Sequence, residues 1–221
     1  MKIKEGRTEL TVEHEGKDLT FVHPANKGTY ASVQGQIQEA GLEAPTMAQT
    51  ASLVQDAFNS EDKYSQGIKK IMKDNWLWGF TGNLYVPNKG VYVQDNPEVR
   101  NGMPFMDESE LVEKLEAEDP SVRFVPFGYK TENMSALDLA KNEYIIALAG
   151  EEGADKLAQV ADKHKRQPYL WSFKSVSEPT TRVSRLYSGW GFVDRLVVVG
   201  VDRGDCRVSF AFGVSASDKV A

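Results

Sequence analysis

The chain has 221 residues, 41% of them hydrophobic and 10% aromatic, enough to build a sizeable core in one domain. Its 26 basic and 32 acidic side chains leave a net charge of −6, which argues against a phosphate-binding surface and hence against nucleic acid as a partner. A single cysteine, Cys206, excludes an internal disulfide and a Cys-based zinc cluster, while the polar N-terminal residues lack the apolar run of a classical signal peptide and no stretch approaches a membrane span.

In chain order, Glu9 to Glu13 alternates, His14 to Asp18 reads as a turn and Leu19 to Val22 resumes the β pattern, predicting a hairpin. Tyr30, Val33, Ile37 and Ala40 recur at helical spacing up to Gly41. Thr46 is placed to cap a second helix with Met47, Ala51, Val54 and Phe58 on one face, and a third is expected over Tyr64 to Lys73. Phe80 to Val93 forms another expected hairpin around the turn Pro87-Asn88-Lys89-Gly90. Asp107 can cap a helix carrying Leu111, Val112 and Leu115, Val122 to Phe127 reads as a strand, and Ser135 with Asp138 matches a capping box. Tyr144 to Ala149 is read as a strand, Glu151 to Lys165 as an amphipathic helix, and Tyr169 to Phe173 as a strand. This irregular mixture, ending in strands, predicts a single α+β domain over residues 1–221, with the N-terminal hairpin and helix in 1–45.

Chemistry-bearing constellations are sparse. His14, His23 and His164 lie far apart without an HExxH pairing and are expected in surface or turn positions, so no metal site is assigned. Glu108, Glu110, Glu113, Glu116 and Glu118 surround an ordinary apolar helix face and are expected to meet water. No GxSxG, Walker or GxGxxG motif occurs, Cys206 has no neighbouring histidine, and Glu178-Pro179-Thr180 lacks the remainder of a calcium-binding lectin motif. The expectation is a non-enzymatic protein without a cofactor.

The C-terminal segment departs from this ordinary composition. Between Pro179 and Asp218 there is no Lys, Glu, Gln or Met, where roughly nine would be expected from their share of the chain. Strand preference against Lys and Glu explains part of the deficit. It does not explain why Arg182, Arg185, Arg195, Arg203 and Arg207 are all there. Random replacement of the first two letters of AAC codons yields Val, Gly, Asp, Ser, Arg, Cys, Phe, Tyr, His and Asn, and never Lys, Glu, Gln, Met or Trp.

That alphabet, set in a frame of Leu186, Ser188, Trp190, Phe192, Arg195, Leu196, Val198, Gly200, Asp202, Gly204, Asp205, Arg207 and Ala211-Phe212-Gly213-Val214, resembles the variable proteins of diversity-generating retroelements. In that family a reverse transcriptase mutates adenines while copying a template repeat into the 3′ end of the gene. The resemblance implies a C-type lectin-like fold with a mixed antiparallel sheet, flanking helices, paired N- and C-terminal strands, and a variable ligand-binding region at 186–215. It implies that Tyr187, Gly189, Gly191, Val193, Asp194, Val197, Val199, Val201, Arg203, Cys206, Val208, Ser209 and Phe210 are the variable ligand-binding positions. Trp190, Phe192, Arg195, Gly200, Asp202, Gly204, Arg207 and Phe212 would be their scaffold.

Alternation along a strand places Leu196 and Val198 opposite Val197, Val199 and Val201, which are either outward-facing or the second face of a sheet buried on both sides. The expected partner is a protein or cell-surface ligand bound by a surface including Val197, Val199, Val201, Val208 and Phe210; homo-oligomerisation is compatible with this. Two other readings are a structural virion or surface component using the same strands for subunit contact, and an enzyme on a fold like that of the formylglycine-generating family, whose paired cysteines this chain lacks.

Overall fold

The computed structural model describes residues 2–4, 8–189 and 194–215. Strands β1 (Lys2–Lys4), β2 (Glu9–His14) and β3 (Lys17–Gly28) form an antiparallel meander, followed by helices α1 (Tyr30–Glu39), α2 (Met47–Phe58) and α3 (Lys63–Asp74). Next come β4 (Trp76–Val86), β5 (Gly90–Asp95), the small hairpin β6 (Val99–Arg100) and β7 (Met103–Pro104), helix α4 (Glu108–Glu116), β8 (Val122–Pro126) and β9 (Glu132–Asn133). Helices α5 (Ala136–Ala140) and α6 (Glu143–Ala161) precede β10 (Tyr169–Trp171), β11 (Thr180–Tyr187), β12 (Val197–Asp202) and β13 (Ser209–Val214).

The sheet runs β1-β2-β3-β13-β4-β11-β12-β10-β9, with β5 and β8 added beside β4. Most pairs are antiparallel; β13 with β4 and β10 with β12 are parallel. The expected union of the two ends of the chain is present, because β3 pairs with β13 from Gly28↔Ser209 to Phe21↔Val214. The N-terminal hairpin is therefore part of the main sheet.

Local chemistry explains the helix starts. Thr46 and Gln49 form a reciprocal capping box at α2, and Ser135 with Asp138 forms another at α5. Asp62 caps α3 by accepting the backbone N–H groups of Tyr64 and Ser65 at 2.8 and 3.0 Å, with the hydroxyls of Ser60 and Ser65 donating to its other oxygen. Burial works to raise the Asp62 pKa, but these four donors outweigh it and hold the carboxyl well below the usual carboxylate range. Its stabilising contribution is therefore present above the unfolded value of about 3.9 and lost as pH falls below it. Asp62→Ala is expected to cost about 1 kcal/mol at pH 7, and urea unfolding at pH 7 and pH 3 should show the gap from the parent chain narrowing in acid.

One predicted strand is a helix. Tyr144 to Ala149 forms the first half of α6, which Asn142 caps through its side-chain oxygen to the N–H groups of Tyr144 and Ile145. The helical run kinks at Gly150 (φ 72°, ψ 168°) and continues to Ala161. Both halves are apolar on much of their circumference because α6 is enclosed by α2, α5 and the sheet, which erases the periodicity that separates a buried helix from a buried strand.

The sheet is covered on both sides. On one, Leu77, Tyr85, Leu170, Leu186, Leu196, Val198 and Phe212 pack with Met47, Val54, Ile68, Tyr144, Leu148 and Leu157 from α2, α3 and α6. On the other, α1 lays Tyr30, Val33 and Ile37 over Trp78, Phe80, Val183 and Ala211. A third cluster joins Leu84, Val86 and Tyr92 to Met106, Leu111 and Val122 beside α4.

Candidate functional site

The predicted variable and scaffold positions occupy several environments. Asp194, Arg203, Arg207 and Val208 are exposed, Gly189, Arg195, Val197, Val201, Cys206 and Phe210 are half-buried, and Gly200, Asp202, Gly204 and Phe212 are buried. Tyr187, Val199 and Ser209 are also buried, at 5%, 2% and 0% exposure. Trp190, Gly191, Phe192 and Val193 lie outside the described residues. Of the three valines expected to share an outer face, Val197 and Val201 keep part of their surface and Val199 does not.

The burial of Val199, Tyr187 and Ser209 corrects a simple outward reading, and the reason lies in the rows of side chains across the sheet. Ser209 on β13 pairs with Trp76, whose ring stacks on Tyr187 with centroids 4.3 Å apart; Tyr187 pairs with Val197, and Val197 with Tyr169. The adjacent row runs from Trp78 through Arg185 and Val199 to Trp171. Aromatic neighbours from β4, β10 and β11 therefore wall in Val199 and Ser209. Trp171 itself is 54% exposed.

Val201 and Phe210 leave this face for a different reason. Val199 pairs with Arg185 but Asp202 pairs with Val183, so three steps on β12 oppose two on β11, as in a β-bulge. The extra residue brings Val201 to the same core as Val198 and turns Asp202 toward Arg185, where Oδ2 meets Nη2 at 2.5 Å. Phe210 pairs with Leu77, one step out of phase with Ser209, so it too packs against that core, with Lys27 over its ring at 5.5 Å. Cys206 packs beside the α1 cluster.

Residues upstream of the expected variable region thus complete the face: Trp76, Tyr169, Trp171 and Arg185. Sequence alternation in Trp76-Leu77-Trp78 and Tyr169-Leu170-Trp171 signals strands with one aromatic side, but their adjacency to β12 is a long-range fact. The Arg185 guanidinium lies 3.8 Å from the centre of the Trp76 ring and 5.5 Å from that of Trp78. Its Nε and Nη1, the Tyr187 hydroxyl and the Ser209 hydroxyl have no hydrogen-bond partner among the described residues. Burial, with the charge of Asp74, pushes the Tyr187 pKa up to about 12, so at neutral pH this hydroxyl remains a donor.

The face rests on a buried polar network. The Tyr85 hydroxyl donates to the Gly200 carbonyl at 3.0 Å and lies 2.9 Å from the Ser172 hydroxyl, which in turn lies 2.9 Å from that of Tyr129. The Tyr144 hydroxyl donates to Asn83 at 2.9 Å, and the Asn83 amide donates to Ser184 at 2.7 Å. This network ties α6, β4, β11 and β12 together directly beneath the rows. At the end of β12 toward β10, the His164 ring nitrogen meets Asp194 at 2.8 Å, and the Arg195 guanidinium donates to Asn133 at 2.6 Å.

These contacts fix a backbone while leaving Val197, Arg203, Arg207 and Val208 reachable. No family model matches the chain, and no curated protein matches it either. A solved structure illustrating the accommodation of massive sequence variation in Nanoarchaeota by the C-type lectin fold superposes with a TM-score of 0.57 over 96% of this chain and 99% of the other, at 16% identity. The chain has a C-type lectin fold. Within this C-type lectin fold, the face built on β10, β11 and β12 is the candidate site.

Another cluster contains the side chains of a nucleophilic site. Ser52 lies 3.0 Å from both His14 Nδ1 and Lys156 Nζ. Ser52 is only 1% exposed, however, and Lys156 is ion-paired with Glu152 and donates to the Glu13 carbonyl at 2.8 Å. The cluster clasps the β2–β3 turn to α2 and α6. His14, half-buried at the β2–β3 turn, therefore serves as an anchoring side chain, and His164, in the bend after α6, has a side chain only 7% exposed. Among the described residues no group of three His, Cys, Asp or Glu side chains is placed to hold a metal ion, and no helix is long and apolar enough to cross a membrane.

Proposed function

We propose that this chain is a non-enzymatic binding protein whose C-terminal segment, diversified by a retroelement, presents a changeable recognition surface to a protein or cell-surface partner. The observation that carries the reading is the division of labour around β12. Leu196 and Val198 are sealed in the core, while Val197, Arg203, Arg207 and Val208 retain surface on either side of a backbone held by neighbouring strands. Exposed aromatic, aliphatic and arginine side chains on a pre-organised backbone are the ingredients of a recognition surface. Support also comes from the C-terminal residue alphabet and from a structural neighbour in which this fold accommodates massive sequence variation.

Two experiments test the reading. DNA beside the gene should hold a near-copy of the codons for residues 187–210, differing almost solely at adenines, together with a reverse transcriptase gene. An intact locus with neither would remove the retroelement origin. Separately, a pool randomised at Val197, Arg203 and Val208 should keep melting temperatures within a few degrees of the parent, since exposed substitutions usually shift stability by less than about 0.5 kcal/mol. Members selected on different surface proteins should differ in partner; a pool that unfolds, or whose members bind indistinguishably, would refute the display surface.

A further inference from the structure

The α1 side of the sheet holds a cavity that lies outside the face built on β10, β11 and β12. Its volume is about 660 Å³; α1 forms one wall through Ala31, Gln34, Gly35 and Gln38, the 96–99 segment forms the other, and residues 42–44 complete it. Ligand sites commonly measure about 300–1,000 Å³. Gly35 keeps the space open. It stands in the middle of a helix, where glycine is unfavourable, and no packing neighbour lies within 4 Å of the point its Cβ would occupy. The apolar part of the lining is firm, because Ala44 and Pro97 are buried while Leu42 and Val99 pack against the cluster that contains Trp78 and Phe80.

The polar part of the lining is one-sided in charge. Gln34 is only 8% exposed, yet its side-chain amide has no hydrogen-bond partner among the described residues. Such a group is costly in an interior, and a ligand entering the cavity can complete it. Gln38, Glu43, Asn96 and Glu98 are exposed along the same lining, which therefore offers three amides and two carboxylates and contains no Lys, Arg or His. Arg100, beyond the lining, is engaged by Glu98, to which its Nε and Nη2 donate at 2.9 and 2.7 Å. Glu43 has no ion pair among the described residues.

Acceptor oxygens and uncompensated negative charge beside an apolar surface suit a guanidinium on an aliphatic stem, which has five donors, no acceptor and a weakly held hydration shell. An anionic ligand would meet like charge here. We infer that this cavity docks an arginine side chain of a protein partner, with the stem against the apolar lining, Gln34 supplying a buried acceptor and Glu43 the counter-charge. None of the lining residues falls within 186–215, so this site stands or fails independently of the display reading.

The test uses the full chain labelled with ¹⁵N, following the Gln34 side-chain amide signals identified by their loss in Gln34→Leu. The peptide Ac-Ala-Arg-Ala-NH2 should shift these signals saturably, and the same peptide with neutral citrulline in place of arginine should bind at least ten-fold more weakly. Gly35→Leu should weaken binding at least ten-fold while leaving the melting temperature unchanged or raised, because the new side chain enters the cavity without meeting a packed neighbour. Glu43→Gln should weaken binding at least three-fold at an unchanged melting temperature, since the side chain it alters is exposed. Absence of a saturable shift would overturn the site, as would equal binding of the arginine and citrulline peptides or undiminished binding to Gly35→Leu. A lysine peptide binding as tightly as the arginine peptide would overturn the choice of guanidinium. Methylguanidinium binding as tightly as the tripeptide would overturn the assignment to a protein partner in favour of a small cation.

Discussion

Gly200→Ala is expected to destabilise the protein by about 3 kcal/mol or more, in the range of overpacked or network-breaking core substitutions. A Cβ at this position would overlap the Tyr144 hydroxyl outright, stand 2.8 Å from Tyr144 Cζ and 3.0 Å from the Tyr85 hydroxyl. Neither tyrosine can retreat cheaply: both are fully buried, and their hydroxyls connect Asn83, Ser172 and the Gly200 carbonyl. At about 2–4 °C per kcal/mol for a chain of this size, the melting temperature should fall by roughly 6–12 °C. Tyr144→Phe removes the severest overlap but not the ring contact, so the double variant should be less destabilised than the sum of the singles. Strict additivity would show that the added methyl is accommodated elsewhere.

Asp202→Ala should have an effect of similar size. It strands Arg185, 11% exposed, beside a partner site that is itself 9% exposed, and breaking a buried pair from one side costs about 3–5 kcal/mol. Stacking on Trp76 does not replace the lost counter-charge, because the ring face offers no hydrogen-bond acceptor of carboxylate strength. Replacing both members together, Arg185→Met with Asp202→Leu, should recover much of the loss, since two matched apolar side chains leave no uncompensated charge. Chemical denaturation of the two singles and the double closes the cycle. A single-variant cost below about 1 kcal/mol would mean that the pair behaves like a solvated one.

What could be read from sequence follows the range of the interactions concerned. The caps at Thr46, Asp107 and Ser135 are set by residues two or three positions away, and the local pattern names them correctly. Tyr144 to Ala149 carries two isoleucines in an almost wholly apolar run, and only its enclosure by other elements decides for helix. At the candidate site, the alternation of Leu196 and Val198 against Val197 is a property of one strand and is legible. The bulge before Asp202 depends on how β12 fits β11, so the exchange of Val201 for Asp202 on the outer side has no local signature. Trp76 and Trp171 join Tyr187 and Val199 only because β4 and β10, about a hundred and a few tens of residues away in the chain, flank the two strands.

The position of β13 between β3 and β4 carries a consequence for biosynthesis. A strand that emerges from the ribosome after all the other described strands must slot into the middle of the sheet, so the nascent protein has a gap at its centre until translation has passed Val214. Native structure therefore arrives late and all at once, and any message cut short within the codons for β12 or β13 yields a polypeptide with a missing central plank, a form suited to degradation.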